Sequence, residues 1–219
     1  MLKYKCLVMD HDDTVVQSER TLGYPYFIEF LSRVRSGVTL DFDEYVRGCY
    51  EMPFPDMCRA KWNFTDEELQ LEWEGWKEYL RTHIPAPCQG IEEVLLRQKD
   101  EGGLVCVVSL SGESVILRDY RALFDMEPDA VYGWDLPREK KKPNVYALQD
   151  IMARFELKPS DILIVDDAKL AWKMADDAGI EIAFAAWSKV DFPELTLEMR
   201  SLCDYSFDSP EALGKFLFE

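Results

Sequence analysis

Three short apolar segments constrain the fold of this chain most strongly, because each of them ends abruptly in polar residues. The segments are residues 4–9, 104–108 and 161–165, and they run into Asp10-His11-Asp12-Asp13, Ser109 and Asp166-Asp167, respectively. Short apolar runs bounded in this way are typical of buried strands, and a segment with helical character follows each of them. Strands that alternate with helices predict an α/β fold with a Rossmann-like parallel sheet, covered on both faces.

Residues 15–84 differ from the rest of the chain, because they are rich in aromatic and charged residues and contain little that resembles a buried strand. Residues 25–35 and 41–51 have helical periodicity, and Thr65-Asp66-Glu67-Glu68 has the pattern of a capping box that opens a further helix. We therefore predict two domains. Residues 1–14 and 85–219 form the α/β core, and residues 15–84 form a small α-helical cap domain inserted after the first strand.

The second half of the chain continues the alternation of helices and strands. Pro143 is expected to start a helix that runs to about residue 155, since proline suits the first helical turn. Gly179 is expected to end a helix over residues 168–178, and residues 181–186 follow as a strand. Ser209 is expected to cap the last helix.

The polar residues after the three strands are expected to meet, because ligands bind at the carboxyl ends of the strands in parallel sheets. Asp10 and Asp12 can face one centre where the chain leaves its regular pleat. One carboxylate can then attack phosphorus while the other acts as general acid and base. A magnesium ion between them would offset the repulsion between an anionic substrate and the carboxylates. The alternative is an acidic loop that only caps the sheet.

Four segments in this order resemble the motifs of the haloacid dehalogenase-like superfamily, in its phosphoglycolate phosphatase and beta-phosphoglucomutase-like branch with a helical cap. Asp10-x-Asp12-x-Thr14 after a strand resembles the first motif, and Ser109 resembles the second. Lys142-Pro143 resembles the third motif, and Asp166-Asp167 resembles the acidic fourth. The resemblance covers almost the whole core, whereas the cap matches only in position and helical character.

The resemblance implies a magnesium-dependent phosphatase that hydrolyses a small phosphate monoester through an aspartyl-phosphate intermediate. Asp10 would be the nucleophile and a metal ligand, and Asp12 would be the general acid and base, with its backbone carbonyl on the metal. Asp167 would supply the remaining metal carboxylate. Ser109 would bind the phosphoryl oxygens, and Lys142 would stabilise negative charge on the nucleophile and the phosphoryl group.

The sequence departs from the family pattern in its acidic positions. Asp13 and Asp166 stand where phosphatases of the family commonly have glycine, and Ala171 stands where a further acid is usual. We interpret Asp166 as a replacement for the missing acid, either around the waters of the metal or through a pair with Lys142. His11 is expected to point away from its two acidic neighbours, because side chains alternate along an extended chain.

The composition limits the classes of partner. A net charge of −17 argues against general binding to nucleic acid or to anionic membranes. No stretch approaches the roughly 20 apolar residues that span a bilayer, and no signal-peptide pattern opens the chain. The six cysteines are scattered, and we expect reduced, structural thiols. These features favour a cytoplasmic protein. A monomer is expected because the inserted cap already shields one face of the site, and the resemblance implies a small phosphorylated metabolite as the partner.

Three other hypotheses stay open at this point. A phosphomutase of the beta-phosphoglucomutase type also needs Asp10 and Asp12, but it must return its phosphoryl group to a bound sugar. A degenerate binding protein would explain Asp13 and Ala171, although it would not need all the retained catalytic residue types. In a response-regulator receiver, the acidic pair would precede a phosphoacceptor aspartate on a later strand. A receiver would also lack the cap of this chain.

Overall fold

The structure, a computed structural model, describes residues 2–219 and contains one six-stranded sheet in which every strand pair is parallel. The strand order is β3-β2-β1-β4-β5-β6. The strands are β1 Cys6–Met9, β2 Leu104–Val108, β3 Ala130–Tyr132, β4 Ile162–Asp166, β5 Glu181–Ala185 and β6 Tyr205–Phe207. The predicted α/β fold with a parallel sheet is therefore confirmed.

Ten α-helices accompany the sheet within the described residues. The first four are α1 Tyr24–Val34, α2 Phe42–Glu51, α3 Phe54–Trp62 and α4 Asp66–Leu80. The other six are α5 Ile91–Asp100, α6 Glu113–Phe124, α7 Tyr146–Phe155, α8 Lys169–Ala178, α9 Pro193–Leu202 and α10 Pro210–Phe218. Within residues 2–219, no helix combines the length and the apolar character that a membrane span requires.

The chain divides into two compact units. The α/β unit comprises the chain up to Gln17 together with Pro87–Glu219, and the helical unit comprises Ser18–Ala86. Residue 1, with which the predicted core domain began, lies outside the described residues. The domain assignment, with a cap function for the helical unit, stays a prediction that we take up below as a proposal.

The helical unit has its own aromatic interior. Phe27 of α1 is buried and packs edge-on against Phe54 of α3, with ring centroids 4.8 Å apart. Tyr26, its neighbour, lies 5.2 Å from the ring of Trp76 on α4. Thr65 and Glu68 form the predicted capping box at the start of α4, where each side chain accepts the backbone N–H of the other residue.

The two faces of the sheet pack into two separate apolar clusters, as the period-two alternation of strands requires. Leu7 and Met9 of β1 belong to one cluster, while Cys6 and Val8 belong to the other. β1 lies between β2 and β4, so it is covered on both faces and paired on both edges. This central position brings the residue after β1 to the middle of the sheet's carboxyl edge.

Among the predicted boundaries that differ from the structure, two concern β4 and α7. β4 extends to Asp166, because Asp166 still pairs in register with Phe184 of β5. The prediction that Pro143 starts a helix is wrong. The peptide bond before Pro143 is cis, and α7 begins only at Tyr146, whose backbone N–H is accepted by the side chain of Asn144. The predicted end of α8 at Gly179 is confirmed, with Gly179 in the left-handed region at φ +65°.

Candidate active site

The carboxyl ends of β1, β2 and β4 lie level with one another and carry the predicted site residues. Met9, the last residue of β1, pairs in register with Val107 of β2 and Val165 of β4. The backbone N–H of Asp10 donates to the carbonyl of Val165 at 2.9 Å, which fixes the first residue after β1 beside the end of β4. This register brings the loops after the three strands to one edge.

Three buried carboxylates meet at this edge. Asp10, Asp166 and Asp167 each offer an oxygen that lies within 4.8 Å of the oxygens of the other two. Carboxylate oxygens are the ligands that magnesium prefers, so this donor set fits a magnesium ion. The side chain of Asp12, the fourth predicted metal residue, is not part of this group, and the predicted use of its backbone carbonyl stays a prediction.

Lys142 contacts two carboxylates of this cluster. Its Nζ lies 3.1 Å from Oδ1 of Asp10 and 2.5 Å from Oδ2 of Asp166, and all three residues are buried. The expected pair between Asp166 and Lys142 is therefore present. The neighbouring Lys140 and Lys141 instead lie over the rings of Tyr146 and Trp134, at 4.1 and 3.6 Å from the ring centroids.

Burial and charge act against each other within this group. Burial alone would lower the pKa of Lys142, but the charges of Asp10 and Asp166 raise it above its usual value, so the lysine stays cationic. Burial raises the pKa of Asp10 well above its usual range despite the opposing charge of Lys142. Burial likewise raises the pKa of Asp166 to about 6, and Lys142 opposes this rise. Burial therefore favours the protonated carboxyl groups, and Lys142 offsets part of this effect.

Two serine hydroxyls hold the carboxylate of Asp12. Ser111 Oγ donates to Oδ2 of Asp12 at 2.5 Å, and Ser109 Oγ lies 3.5 Å from the same oxygen. The backbone N–H of Ser111 donates to Ser109 Oγ at 3.2 Å. The sequence predicted Ser109 but missed Ser111, for which the only signal was a second hydroxyl residue in the loop after β2.

The loop that carries these serines is packed closely against the end of β3. A Cβ atom at Gly133 would come within 2.6 Å of the carbonyl oxygen of Ser111. Only glycine therefore lets the two backbones approach this closely. The close approach fixes the Ser111 loop at the same edge of the sheet.

A second buried lysine, Lys189, was also missed. Its Nζ lies 2.8 Å from Oδ2 of Asp13 and 2.7 Å from Oδ2 of Asp167, and Lys189 is only 7% exposed. Burial alone would lower the pKa of Lys189, but the charges of Asp167 and Asp13 raise it above its usual value. A lone lysine in the apolar stretch after the predicted strand 181–186 was the available signal.

Asp13 occupies the left-handed region of the backbone, with φ +54°. This conformation suits glycine and costs other residues about 1 kcal/mol or more. It gives a physical reason for the glycine that family phosphatases commonly have here, and it shows that this chain tolerates the strain of an acidic residue. The side chain of Asp13 is buried against Lys189.

His11 contacts helix α6 rather than the carboxylate cluster. Its Nε2 lies 3.1 Å from Oδ2 of Asp119, and both side chains are almost fully buried. Arg118 contacts the other oxygen of Asp119, and the ring of His11 stacks on Tyr120 with centroids 6.0 Å apart. His11 thus connects the loop after β1 to α6.

Solved structures with a similar fold cover nearly the whole chain. A predicted phosphoglycolate phosphatase from Haemophilus somnus has 20% identity and a TM-score of 0.74, with 99% of each chain covered. CbbY from Rhodobacter sphaeroides, in complex with xylulose-1,5-bisphosphate, has 16% identity and a TM-score of 0.71, with 96% of each chain covered. A proposed beta-phosphoglucomutase from Bacteroides vulgatus has 19% identity and a TM-score of 0.72, with 97% of this chain and 87% of that chain covered.

No curated protein matches the sequence significantly. A family model described as haloacid dehalogenase-like hydrolase, however, matches residues 7–185. The matched range runs from β1 to the end of β5, and it includes Asp10, Ser109, Lys142 and the Asp166-Asp167 pair. The resemblance that the sequence motifs suggested is thereby confirmed, and the chain belongs to the haloacid dehalogenase-like hydrolase family.

Proposed function

We propose that this protein is a magnesium-dependent phosphatase that hydrolyses a small phosphate monoester through an aspartyl-phosphate intermediate. The observation that carries the proposal is the buried group formed by Asp10, Asp166, Asp167 and Lys142. It combines a carboxylate nucleophile, oxygen donors for a hard cation and a fixed positive charge. Phosphoryl transfer depends mainly on such positioning and electrostatic stabilisation.

Asp10 has one oxygen suited to attack. Lys142 contacts Oδ1 of Asp10, which leaves Oδ2 to form the bond to phosphorus while the bond to the substrate alcohol breaks. Lys142 then stabilises the negative charge that spreads over the phosphoryl oxygens. A bound magnesium ion would supply further charge neutralisation, held by Asp10, Asp167, Asp166 and, as predicted, the backbone carbonyl of Asp12.

Asp12 is the proposed general acid and base. It gives a proton to the departing alcohol oxygen, and then removes a proton from the water that attacks the aspartyl-phosphate. The hydrogen bonds from Ser111 and Ser109 to Oδ2 hold this carboxyl group in one orientation. Ser109 is also the proposed hydroxyl donor to the phosphoryl oxygens.

The substrate class and the role of the helical unit belong to the same proposal. The named neighbours act on or bind small phosphorylated compounds, such as xylulose-1,5-bisphosphate in the CbbY complex. We extend this substrate class to the present chain and assign the helical unit Ser18–Ala86 the function of a cap domain. A monomer and a cytoplasmic location remain predictions, and size-exclusion chromatography tests the first.

The test is hydrolysis of para-nitrophenyl phosphate and a panel of phosphorylated metabolites, with magnesium and with a chelator. We expect magnesium-dependent turnover that falls by a factor on the order of 10⁴ or more in Asp10→Asn, because the nucleophile is lost. Asp100→Asn, at an exposed aspartate of the same unit, is the matched control and should retain full turnover.

Two other outcomes would overturn the proposal. Turnover of glucose 1,6-bisphosphate without hydrolysis of simple monoesters would indicate a phosphomutase. A folded protein that binds magnesium and turns over no ester would favour a binding protein. Rapid acid quenching of the reaction with a labelled ester tests the intermediate, since Asp10 should carry the label.

A further inference from the structure

Lys189 connects two loops of the candidate site. Asp13 lies in the loop after β1, Asp167 directly follows β4, and Lys189 follows the end of β5. The Nζ of Lys189 lies within 2.8 Å of a carboxylate oxygen of each aspartate. One ammonium group therefore joins the loop that contains the proposed nucleophile to the loop that contains a proposed metal ligand.

The backbone of Lys189 is itself held firmly. Its N–H donates to the carbonyl of Ala186 at 3.0 Å. Its carbonyl accepts the N–H of Phe192 and the hydroxyl of Thr196, both at 2.9 Å. These bonds fix the residue between a short helical turn and the start of α9, so the ammonium group extends from a rigid base.

The two oxygens of Asp167 have different surroundings. Oδ2 contacts Lys189 at 2.7 Å, whereas the hydrogen bond that Oδ1 accepts within residues 2–219 is a long one of 3.5 Å from the hydroxyl of Thr14. Ala171, four residues further on, is fully buried in the apolar core, so α8 offers Asp167 no polar partner at that position. Lys189 is thus the strong contact that orients the Asp167 carboxylate.

We propose that Lys189, together with Asp13, is a positioning residue that fixes the Asp167 carboxylate for metal binding. This inference rests on the proposed function only in taking Asp167 as a metal ligand. It also gives a reason for the strained backbone of Asp13, whose carboxylate is the second anchor of the ammonium group. Groups that orient metal ligands in this way commonly change metal affinity by 10-fold to 100-fold when they are removed.

The positive charge of Lys189 acts against Mg²⁺ binding, whereas its positioning of Asp167 favours it. The experiment must therefore separate the two effects. A nearby ammonium group repels a divalent cation, so the loss of Lys189 alone would strengthen electrostatic attraction while it weakens positioning. The double variant Asp13→Asn/Lys189→Met removes one negative and one positive charge and leaves the net charge unchanged. Asparagine tolerates positive φ, and methionine approximates the unbranched lysine stem.

The experiment measures Mg²⁺ binding to the intact protein by isothermal titration calorimetry, without substrate. We expect the double variant to bind Mg²⁺ about 10-fold to 100-fold more weakly than the wild type. The control variant Lys173→Met/Asp177→Asn removes an exposed ion pair of α8, also without change in net charge, and should bind like the wild type. In hydrolysis assays, the magnesium concentration for half-maximal rate should rise by the same factor.

An unchanged Mg²⁺ affinity in a folded double variant overturns the inference, even if its thermal stability falls. A wild type that binds Mg²⁺ but hydrolyses no ester contradicts the proposed function, while the binding comparison still decides the role of Lys189. A wild type without Mg²⁺ affinity overturns both. If circular dichroism shows that the double variant is unfolded, Asp13→Asn/Lys189→Gln, which also leaves the net charge unchanged, replaces it and should bind Mg²⁺ several-fold more weakly than Lys173→Met/Asp177→Asn does. Equal affinities in that pair overturn the inference.

Discussion

The buried carboxylates of the two units differ in whether a cation lies next to them. In the α/β unit, Asp10 and Asp166 contact Lys142, and Asp167 contacts Lys189. In the helical unit, Glu72 of α4 is only 7% exposed, yet no lysine or arginine within residues 2–219 pairs with it. One unit keeps its buried acids next to cations, and the other leaves its buried acid among apolar and aromatic side chains.

This difference has a direct electrostatic consequence. Burial raises the pKa of Glu72 to about 7, with no nearby charge to oppose the rise. Burial also raises the pKa of Asp166, but the adjacent Lys142 limits the value to about 6 although the site is more deeply buried. Lys142 therefore opposes the loss of negative charge in the α/β unit, whereas desolvation acts unopposed on Glu72 in the helical unit.

The largest predicted effect comes from removing Lys142, one of the buried cations of the α/β unit. Lys142→Met would leave Asp10 and Asp166 buried without a counter-charge, and breaking such a pair costs about 3–5 kcal/mol. We expect a loss of unfolding free energy of this size in urea at pH 7, and a fall in turnover by a factor on the order of 10²–10³. Lys77→Met, at an exposed lysine of α4, should leave stability nearly unchanged. If Lys142→Met lowered the free energy of unfolding by less than about 1 kcal/mol, the buried acids of the α/β unit would not depend on a paired cation. The contrast with Glu72 in the helical unit would then disappear.

The second prediction concerns the unpaired acid of the helical unit. Glutamate in the unfolded chain ionises near pH 4.5, whereas Glu72 in the folded protein ionises at about 7. The folded state therefore binds more protons between these values, and stability falls as the pH rises from 4.5 to 7. The shift in the pKa of Glu72 corresponds to a loss of about 3 kcal/mol in the free energy of unfolding. This loss is complete above pH 7.

Glu72→Gln should remove this penalty. We expect a gain of up to about 3 kcal/mol in the unfolding free energy at pH 8, and a gain below about 1 kcal/mol at pH 5. Glu74→Gln, at an exposed glutamate of the same helix, is the matched control and should show no such dependence on pH. An equal effect of Glu72→Gln at both pH values would mean that Glu72 stays charged between pH 5 and pH 8.

Local patterns explain what the sequence predicted correctly. The strands β1, β2 and β4 follow from short apolar runs, and the capping box at Thr65 follows from a four-residue motif. Asp10 and Ser109 were identifiable because each directly follows such a run. These features depend on neighbours in the chain, so a single sequence contains the information.

The features that the sequence did not predict depend on distant contacts. Lys189 contacts Asp13 across 176 positions, and its apolar neighbours in the sequence do not identify that partner. Glu72 lies in an acid-rich helix, and only the tertiary packing of the helical unit decides that it is buried while Glu74 is exposed. The start of α7 was wrong for a different reason, because the contact that fixes its first turn is local and involves Asn144 rather than Pro143.

The smallest predicted effect is the loss of one helix-capping hydrogen bond in each unit. It tests whether both units lose the same amount of stability. Thr65 caps α4 in the helical unit, where its Oγ1 accepts the N–H of Glu68 at 3.2 Å. Ser209 caps α10 in the α/β unit, where its Oγ accepts the N–H of Ala212 at 3.1 Å. Replacing either residue by alanine removes one such bond, and we expect each change to cost about 1 kcal/mol.

Hydrogen exchange measured by mass spectrometry can locate the two losses. Because each unit has its own packed interior, Thr65→Ala should speed exchange in α4 and Ser209→Ala should speed exchange in α10. A loss of about 1 kcal/mol corresponds to roughly fivefold faster exchange of the affected amides. If Thr65→Ala accelerated exchange in α10 as strongly as in α4, the two units would open together. The contrast between Glu72 and the paired aspartates would then concern one cooperative structure, and Glu72→Gln would stabilise the α/β unit as much as its own.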